Sequence, residues 1–186
     1  MEPLIEFTGG LLEWVQPKVF ERNYELVSGE TLVATLAFRS SFGTLAVAET
    51  AEGSWTFKRV GFLNPRISVR QVGGLDDLAL YRPRFWGGGD LAFTGGPVVS
   101  WRSTDFWTTE WAFFDPVDQA LLAFRPGREK ERLADIFKSQ ATVEVSPVGA
   151  GSPHLSILAS LGMYLLVLHQ DDTAAVISAT GATAAT

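Results

Sequence analysis

Four arginines and a tryptophan occur close together in the middle of the chain. They are Arg66, Arg70, Arg82, Arg84 and Trp86. A guanidinium group can bind a phosphate through two parallel hydrogen bonds, and an aromatic side chain beside it adds apolar contact. The segment is therefore a candidate binding patch for a phosphate or a lipid headgroup. The alternative is that the arginines point outward from two strands and pair with the nearby Asp76, Asp77 and Asp90.

Two carboxylates lie among tryptophans further along the chain. Asp105 and Glu110 fall between Trp101 and Trp111. Cleavage of a sugar linkage requires two carboxyl groups, one on each side of the bond, so this pair is a candidate for hydrolysis. The alternative is that the tryptophans pack in the wall of the fold while both carboxylates face water. We favour this alternative, and we predict no catalytic residue and no enzymatic activity.

Several other kinds of chemistry are excluded by composition and spacing. The chain has no cysteine, which removes zinc–thiolate sites, iron–sulfur clusters and a thiol nucleophile. Its two histidines, His154 and His169, are fifteen residues apart, which on a helix is roughly 22 Å. They therefore cannot share a metal ion or a catalytic triad. We predict no metal site and no cofactor.

The charge and the start of the chain restrict its partners and location. The 186 residues carry 15 basic and 21 acidic side chains, a net charge of −6. This acidic balance argues against binding to nucleic acid, which requires a basic surface. The first ten residues contain two glutamates and no long apolar run, so we expect a cytoplasmic protein. Binding to a lipid headgroup would place it peripherally at a membrane.

Alternating polar and apolar residues, typical of strands, recur from residue 18 to residue 147. In Thr31–Phe38, for example, Leu32, Ala34, Leu36 and Phe38 share one face. Glycine and proline interrupt the pattern at short intervals, as at Ser28-Gly29 and Asp115-Pro116. This spacing predicts about ten to twelve short strands in a sandwich or barrel.

The segment Ser152–Gln170 has a different pattern, because its apolar residues cover every side of a helix. Such a helix is enclosed either by protein or by lipid. Ser156, Ser160 and Tyr164 form a polar stripe along it, no Lys or Arg flanks it, and two aspartates follow it. These features favour a core helix over the alternative, a tail anchor in which residues 155–168 span a bilayer.

The core helix determines the predicted architecture. A barrel of eleven or twelve strands leaves an interior that must be filled, and an apolar helix can fill it. We therefore predict a mainly β (α+β) fold, a closed antiparallel barrel of about 12 strands around a hydrophobic C-terminal helix. A single domain would span residues 1–170, with its core helix at 153–169. The Ala- and Thr-rich residues 171–186 are predicted to be a disordered tail.

Several segments resemble the tubby C-terminal-like superfamily, which includes phospholipid scramblases and the plant LURP-one-related proteins. They are Tyr24–Glu30, Gly53–Val60, Trp111–Asp118 and Pro153–Leu168. The resemblance covers about residues 18–170 and lies in element order and hydrophobicity. It implies a twelve-stranded barrel around a central hydrophobic helix, in agreement with the architecture predicted above.

The functional implications of the resemblance are narrower. Tubby domains resemble phosphoinositide-binding modules, and scramblases are associated with calcium and lipid movement. This chain lacks the acylated cysteine cluster of scramblases and an Asp-x-Asp-x-Asp-Gly calcium loop. We therefore transfer the fold and no binding residue. The predicted function is a non-enzymatic binding or scaffold module for a phospholipid headgroup or a protein partner. The alternatives are a hydrolase that uses Asp105 and Glu110, and a tail-anchored membrane protein.

Overall fold

Twelve antiparallel strands form one closed barrel. A computed structural model of the chain describes residues 1–183, apart from residues 19, 62, 86, 106–108 and 128–137. The strands are β1 (Leu12–Gln16), β2 (Asn23–Ser28), β3 (Thr31–Phe38), β4 (Ala46–Thr50), β5 (Gly53–Val60), β6 (Arg66–Gln71), β7 (Ala79–Pro83), β8 (Gly89–Phe93), β9 (Val98–Ser103), β10 (Trp111–Phe114), β11 (Ala120–Pro126) and β12 (Lys138–Val145). Each strand pairs with its neighbours in sequence, and β1 pairs with β12 to close the barrel. The predicted fold class is confirmed.

The period-two pattern of each strand separates the inside of the barrel from the outside. In β5, Trp55 and Phe57 are buried, whereas Lys58, which follows Phe57 and points to the other face, is exposed. In β6 and β7, the paired residues Ile67 and Tyr81 face inward. Successive side chains of a strand point to opposite faces, so the alternation in sequence sets the register that buries the apolar set.

Two helices follow the barrel strands. A short helix, α1 (Pro147–Ala150), comes after β12, and a long helix, α2 (Leu155–Thr183), passes through the barrel. The side chains from Leu155 to Leu168 are buried. A short 3₁₀ helix at Leu4–Phe7 contacts α2 and places Leu4 in the core. No helix in the described part of the chain combines the length and the hydrophobicity needed to cross a membrane.

The bounds of the long helix differ from the predicted core helix at 153–169. It begins two residues later, because the Leu155 amide donates to the Ser152 carbonyl in a turn that precedes it. It continues to Thr183, where a disordered tail was predicted from residue 171. Alanine is the strongest helix former, and the chain contains no proline after Pro153, so the helix extends beyond its buried part. The described side chains from His169 to Ser178 are exposed.

The polar stripe of α2 faces one wall of the barrel. The Ser160 hydroxyl donates to the Ser156 carbonyl at 2.9 Å, and the Ser156 side chain lies on the side of the helix that faces Glu52. Desolvation alone would raise the pKa of Glu52, but hydrogen bonds from Ser156, Thr50 and the Leu4 amide outweigh it and lower that pKa. The stripe is thus hydrogen-bonded at the β4–β5 connection, near the start of the helix.

Tyr164 completes the polar stripe near the other end of the barrel. Its hydroxyl donates to the Thr44 carbonyl at 2.6 Å and accepts from the Arg59 amide at 3.1 Å. Burial raises the pKa of Tyr164 to about 12, so the hydroxyl keeps its proton at neutral pH. Its ring stacks on Phe38, with ring centroids 5.5 Å apart. The hydroxyl therefore joins the helix to the backbone of two separate parts of the wall.

The Tyr164→Phe substitution should destabilise the barrel by about 1–2 kcal/mol, because two backbone groups lose a partner while the ring packing remains. Chemical denaturation monitored by tryptophan fluorescence would measure the free energy of unfolding. Tyr81→Phe is the matched control, since Tyr81 is 3% exposed and its hydroxyl makes no hydrogen bond to the described residues. Equal losses in the two variants would contradict a specific role for the Tyr164 hydroxyl.

Candidate functional site

The topology sorts the connections of the barrel between two ends. Because consecutive strands are antiparallel, the connections after odd-numbered strands all meet at one end. We call this the exit end, since α2 leaves the barrel there. Its described connections fall within residues 17–22, 39–45, 61–65, 84–88 and 104–110. The connections after even-numbered strands, together with residues 1–11 and 146–154, form the opposite end.

Two ion pairs attach the emerging helix to the exit end. Arg22 contacts Asp171 at 2.5 Å, and Arg59 holds Asp172 through two contacts of 2.7 and 3.0 Å. The Arg22 guanidinium also lies over the Phe38 ring, 3.9 Å from its centroid. The hydrogen bonds that the Arg59 guanidinium donates to Asp172 are the main reason that the pKa of Arg59 is raised. These contacts explain why two acidic residues directly follow the apolar, buried segment of α2.

Three cations lie together on the outer wall beside the exit end. Ile67 of β6 pairs with Tyr81 of β7. One step further along the same register, Arg66 comes opposite Arg82 on the outer face. The Cβ atoms of two residues opposed in this way are about 5 Å apart. Lys58 pairs with Ser68, and so it lies diagonally from Arg66 on the same face. We call Lys58, Arg66 and Arg82 the basic cluster. All three are exposed, and none of them forms an ion pair with a residue that the structure describes.

The structure divides the predicted arginine patch. Arg66 and Arg82 come together, whereas Arg70 lies four residues further along β6, about 13 Å away, in a 2.6 Å ion pair with Asp77. Arg84 is held by both oxygens of Asp90, at 2.5 and 3.0 Å. These two arginines follow the alternative interpretation of the sequence, in which they pair with nearby acids. Trp86 lies outside the described residues.

The two carboxylates of the hydrolase alternative form hydrogen bonds within their own connection. Asp105 accepts from the Thr109 hydroxyl and from the amides of Thr109 and Glu110, and the Thr109 hydroxyl is the main reason that its pKa is lowered. Glu110 accepts from Thr104 and forms an ion pair with Arg125. A general acid requires a raised pKa. The geometry thus gives Asp105 a structural role in the β9–β10 connection.

The histidines lie at the two ends of the buried helix segment, as their spacing predicts. The His154 ring stacks on Phe93, with centroids 3.7 Å apart, and burial lowers the pKa of His154. His169 lies near Trp111, with ring centroids 5.7 Å apart. Within the described residues, no group of three or more His, Asp or Glu side chains is placed to hold a metal ion.

Large apolar side chains protrude from four connections at the exit end. We call them the apolar tips: Phe20, Phe42, Leu63 and Phe85, which are 99, 101, 94 and 91% exposed. Each belongs to a different connection, those after β1, β3, β5 and β7. Exposed hydrophobic groups collected on one surface mark an interaction site, whereas scattered ones do not. The topology therefore places four separate exposed residues at the same end of the barrel.

The two ends also differ in charge. At the opposite end the connections carry eight acidic side chains and no Lys or Arg: Glu2, Glu6, Glu30, Glu52, Asp76, Asp77, Asp115 and Asp118. The five described connections of the exit end carry four basic and three acidic side chains: Lys18, Arg22, Arg39, Arg84, Glu21, Asp105 and Glu110. The opposite end is therefore strongly acidic, whereas at the exit end the described acidic and basic side chains roughly balance once Asp171 and Asp172 are included.

The sequence interpretation did not identify the apolar tips or the charge difference between the ends. A signal was present, because several connections contain phenylalanine or leucine although connections are usually polar. Phe20, Phe42 and Leu63 each lie between two strand patterns. Using that signal requires the assumption that every strand pairs with the next. Under that assumption, alternate connections meet at one end of the barrel.

Two small clefts accompany these surfaces. One, of about 230 Å³, lies at the exit end between the connections after β1 and β3, and Arg22 and Arg39 are part of its lining. The other, of about 170 Å³, lies on the outer wall near Arg125 and Glu144. Both are smaller than the roughly 300 Å³ at which pockets for drug-sized ligands begin. The geometry therefore favours recognition by an extended surface over an enclosed site.

Fold and surface together define a class of protein: a closed twelve-stranded antiparallel barrel filled by its C-terminal helix, with a basic cluster and apolar tips at the end where the helix leaves. Comparisons of the chain with protein-family models, with curated proteins and with solved structures find no match.

Proposed function

We propose that this protein is a non-enzymatic module that binds the headgroups of anionic phospholipids through the basic cluster. The arrangement that carries the proposal is Arg66 and Arg82 at neighbouring outward positions of adjacent strands, beside Lys58. None of the three forms an ion pair with a described residue, although Asp90 is the cross-strand partner of Arg82 and pairs with Arg84. Like charges opposite each other on a sheet are destabilising, so binding of an anion between them would relieve their repulsion. We also propose membership of the tubby C-terminal-like superfamily.

The chemistry of the basic cluster suits a phosphate-bearing ligand. Arginine presents its donors in a planar fork that matches phosphate oxygens, and lysine adds a flexible point charge. Arg84 lies near the cluster but has its charge balanced by Asp90. A membrane surface offers many phosphates at once, so binding does not require an enclosed pocket. This agrees with the small volume of both clefts.

We expect the Arg66→Gln/Arg82→Gln double variant to bind anionic membranes about thirtyfold more weakly than the wild type, since each basic residue near such a surface contributes about 1 kcal/mol. The measurement is flotation with vesicles of phosphatidylcholine alone, with added phosphatidylserine, or with added phosphatidylinositol phosphate. Competition by a soluble inositol phosphate distinguishes recognition of the phosphate group from attraction to the membrane surface.

Arg70→Gln is the matched control for this experiment. Arg70 is an exposed arginine of the same strand, but it pairs with Asp77 towards the opposite end. Its loss should leave binding to vesicles nearly unchanged. If the wild type fails to bind any anionic vesicle at low salt, the lipid proposal is wrong and a protein partner becomes the better hypothesis. If Arg70→Gln weakens binding as much as the double variant does, the basic cluster is not the site.

A further inference from the structure

We infer that the exit end docks face-on against a lipid bilayer, with the apolar tips inserted into the interface between headgroups and acyl chains. The inference rests on the proposed function and specifies how that function is performed. The basic cluster would supply attraction to the headgroups, and the apolar tips would supply burial below them. The occupant of this surface is therefore a bilayer that contains anionic lipid.

The form of the apolar surface suits a bilayer. Phe20, Phe42 and Leu63 are each at least 94% exposed, and they protrude from three different connections. The cleft beside Phe20 is small and is lined mostly by polar and charged residues. A protein partner buries the centre of its interface in packed contacts, as in a domain core. A fluid interface instead accommodates separate protruding side chains, because lipids rearrange around each of them. Aromatic and leucine side chains provide the apolar face of proteins that lie at membrane surfaces.

The distribution of charge gives the orientation. The opposite end carries eight acidic side chains and no Lys or Arg among its connections. At the exit end basic and acidic side chains roughly balance, with Asp171 and Asp172 included, and this end lies beside the basic cluster. A negative membrane surface attracts basic segments and repels acidic ones over about a Debye length. Electrostatics therefore favours the exit end, and the exposed phenylalanines Phe20, Phe42 and Phe85 lie at the same end.

The emerging helix is compatible with this orientation. Asp171 and Asp172 are paired with Arg22 and Arg59 at the rim of the barrel. From Thr173 to Thr183 the helix contains no charged residue, and its Val176 and Ile177 side chains are 63 and 66% exposed. Uncharged small residues can enter the interfacial region at low cost, and the helix satisfies its own backbone hydrogen bonds there. The helix extension would enter the same interface as the apolar tips.

The absence of cysteine permits a direct test, because one introduced cysteine can carry a single environment-sensitive fluorophore. We would label Phe42→Cys at the exit end and Leu75→Cys at the opposite end with NBD. Position 75 is a suitable control, since Leu75 is 88% exposed in a connection of similar length. On vesicles of phosphatidylcholine and phosphatidylserine, NBD at position 42 should brighten and shift to the blue, whereas NBD at position 75 should not change.

A second measurement tests the contribution of the apolar tips to affinity. The triple variant Phe20→Ser, Phe42→Ser, Leu63→Ser should bind the same vesicles about tenfold or more weakly. The matched triple variant Leu11→Ser, Leu75→Ser, Val117→Ser removes exposed apolar residues from the opposite end and should bind like the wild type. All six positions are exposed, so both variants should unfold at the temperature of the wild type.

The outcomes separate this inference from the proposed function. If vesicle binding depends on Arg66 and Arg82 while NBD at position 42 stays unchanged and the exit-end triple variant binds normally, insertion is wrong and headgroup binding stands. A response at position 75 in place of position 42 would reverse the orientation and overturn the inference. A lipid-free dimer, detected by light scattering and abolished in the exit-end triple variant, would identify the apolar tips as a contact between copies of this chain.

Discussion

The Leu161→Asp variant should fail to form the barrel. Leu161 is fully buried in α2, within the single hydrophobic core that the helix and the strands share. Loss of a buried leucine side chain costs about 2–5 kcal/mol. An unpaired carboxylate in the core adds several kcal/mol. The sum is comparable with the whole stability of a typical domain, about 5–15 kcal/mol. We expect no cooperative thermal transition by circular dichroism and no near-ultraviolet signal from packed tryptophans.

The control for this variant is Ala175→Asp, in the exposed extension of the same helix. It introduces the same charge into the same secondary structure, so it should change the stability by about 0.5 kcal/mol or less. The comparison of the two variants separates the effect of burying a charge from the effect of aspartate on helix propensity. A Leu161→Asp protein that melts at the wild-type temperature would show that the helix does not fill the barrel, and the architecture described above would be wrong.

The closed barrel could be predicted because its information is local and repeated. Each strand shows its own alternation, as in Trp55 and Phe57 of β5, and each turn shows its own glycine or proline. A helix over residues 155–168 has apolar side chains on every side, so it required a structure that encloses it. The two signals are independent and lead to the same fold. Their agreement is therefore stronger evidence for the barrel than either signal alone.

The functional surface could not be predicted in the same way, because it depends on which residues share an end of the barrel. Arg66 and Arg70 look equivalent in sequence, and both point outward from β6. The register places Arg66 beside Arg82, whereas Arg70 meets Asp77 some 13 Å away. A difference of one position in the β6–β7 register would have changed these neighbours, and composition carries no information about register.

The extent of the helix also depended on context. Residues 171–186 were predicted to be a disordered tail because they lack a core-facing pattern, yet the described part of them, up to Thr183, continues the helix. Helix nucleation is costly, whereas each added residue completes one more hydrogen bond. The buried segment supplies the nucleus, and Ala174 and Ala175 extend it at little cost. The ion pairs of Asp171 and Asp172 support the first turn beyond the barrel.

The Gly162→Val variant should be destabilised by about 3 kcal/mol, although valine is a better helix former than glycine. A Cβ atom at position 162 would lie 2.3 Å from Cζ of Phe124 and 2.7 Å from both Cε atoms, far inside van der Waals contact. The Phe124 ring has little freedom to move, since it is fully buried against Trp101 and Phe113. Urea denaturation would measure the loss of stability. Gly151→Val is the control, because a Cβ atom there has its nearest neighbour at 3.5 Å.

A double-mutant cycle shows whether that clash is the cause. Phe124→Leu removes the outer ring atoms that the new side chain would meet, at a cost of about 1 kcal/mol or more by itself. If close approach of the helix to β11 is what requires glycine, the Gly162→Val/Phe124→Leu double variant should be more stable than the two single effects predict, by at least about 1 kcal/mol. If the losses of stability in the two single variants simply add up in the double variant, the clash with Phe124 is not the reason that position 162 requires glycine. Because the polar stripe of α2 faces β4 and β5 while Gly162 faces β11, a favourable coupling would also fix the rotation of the helix within the barrel.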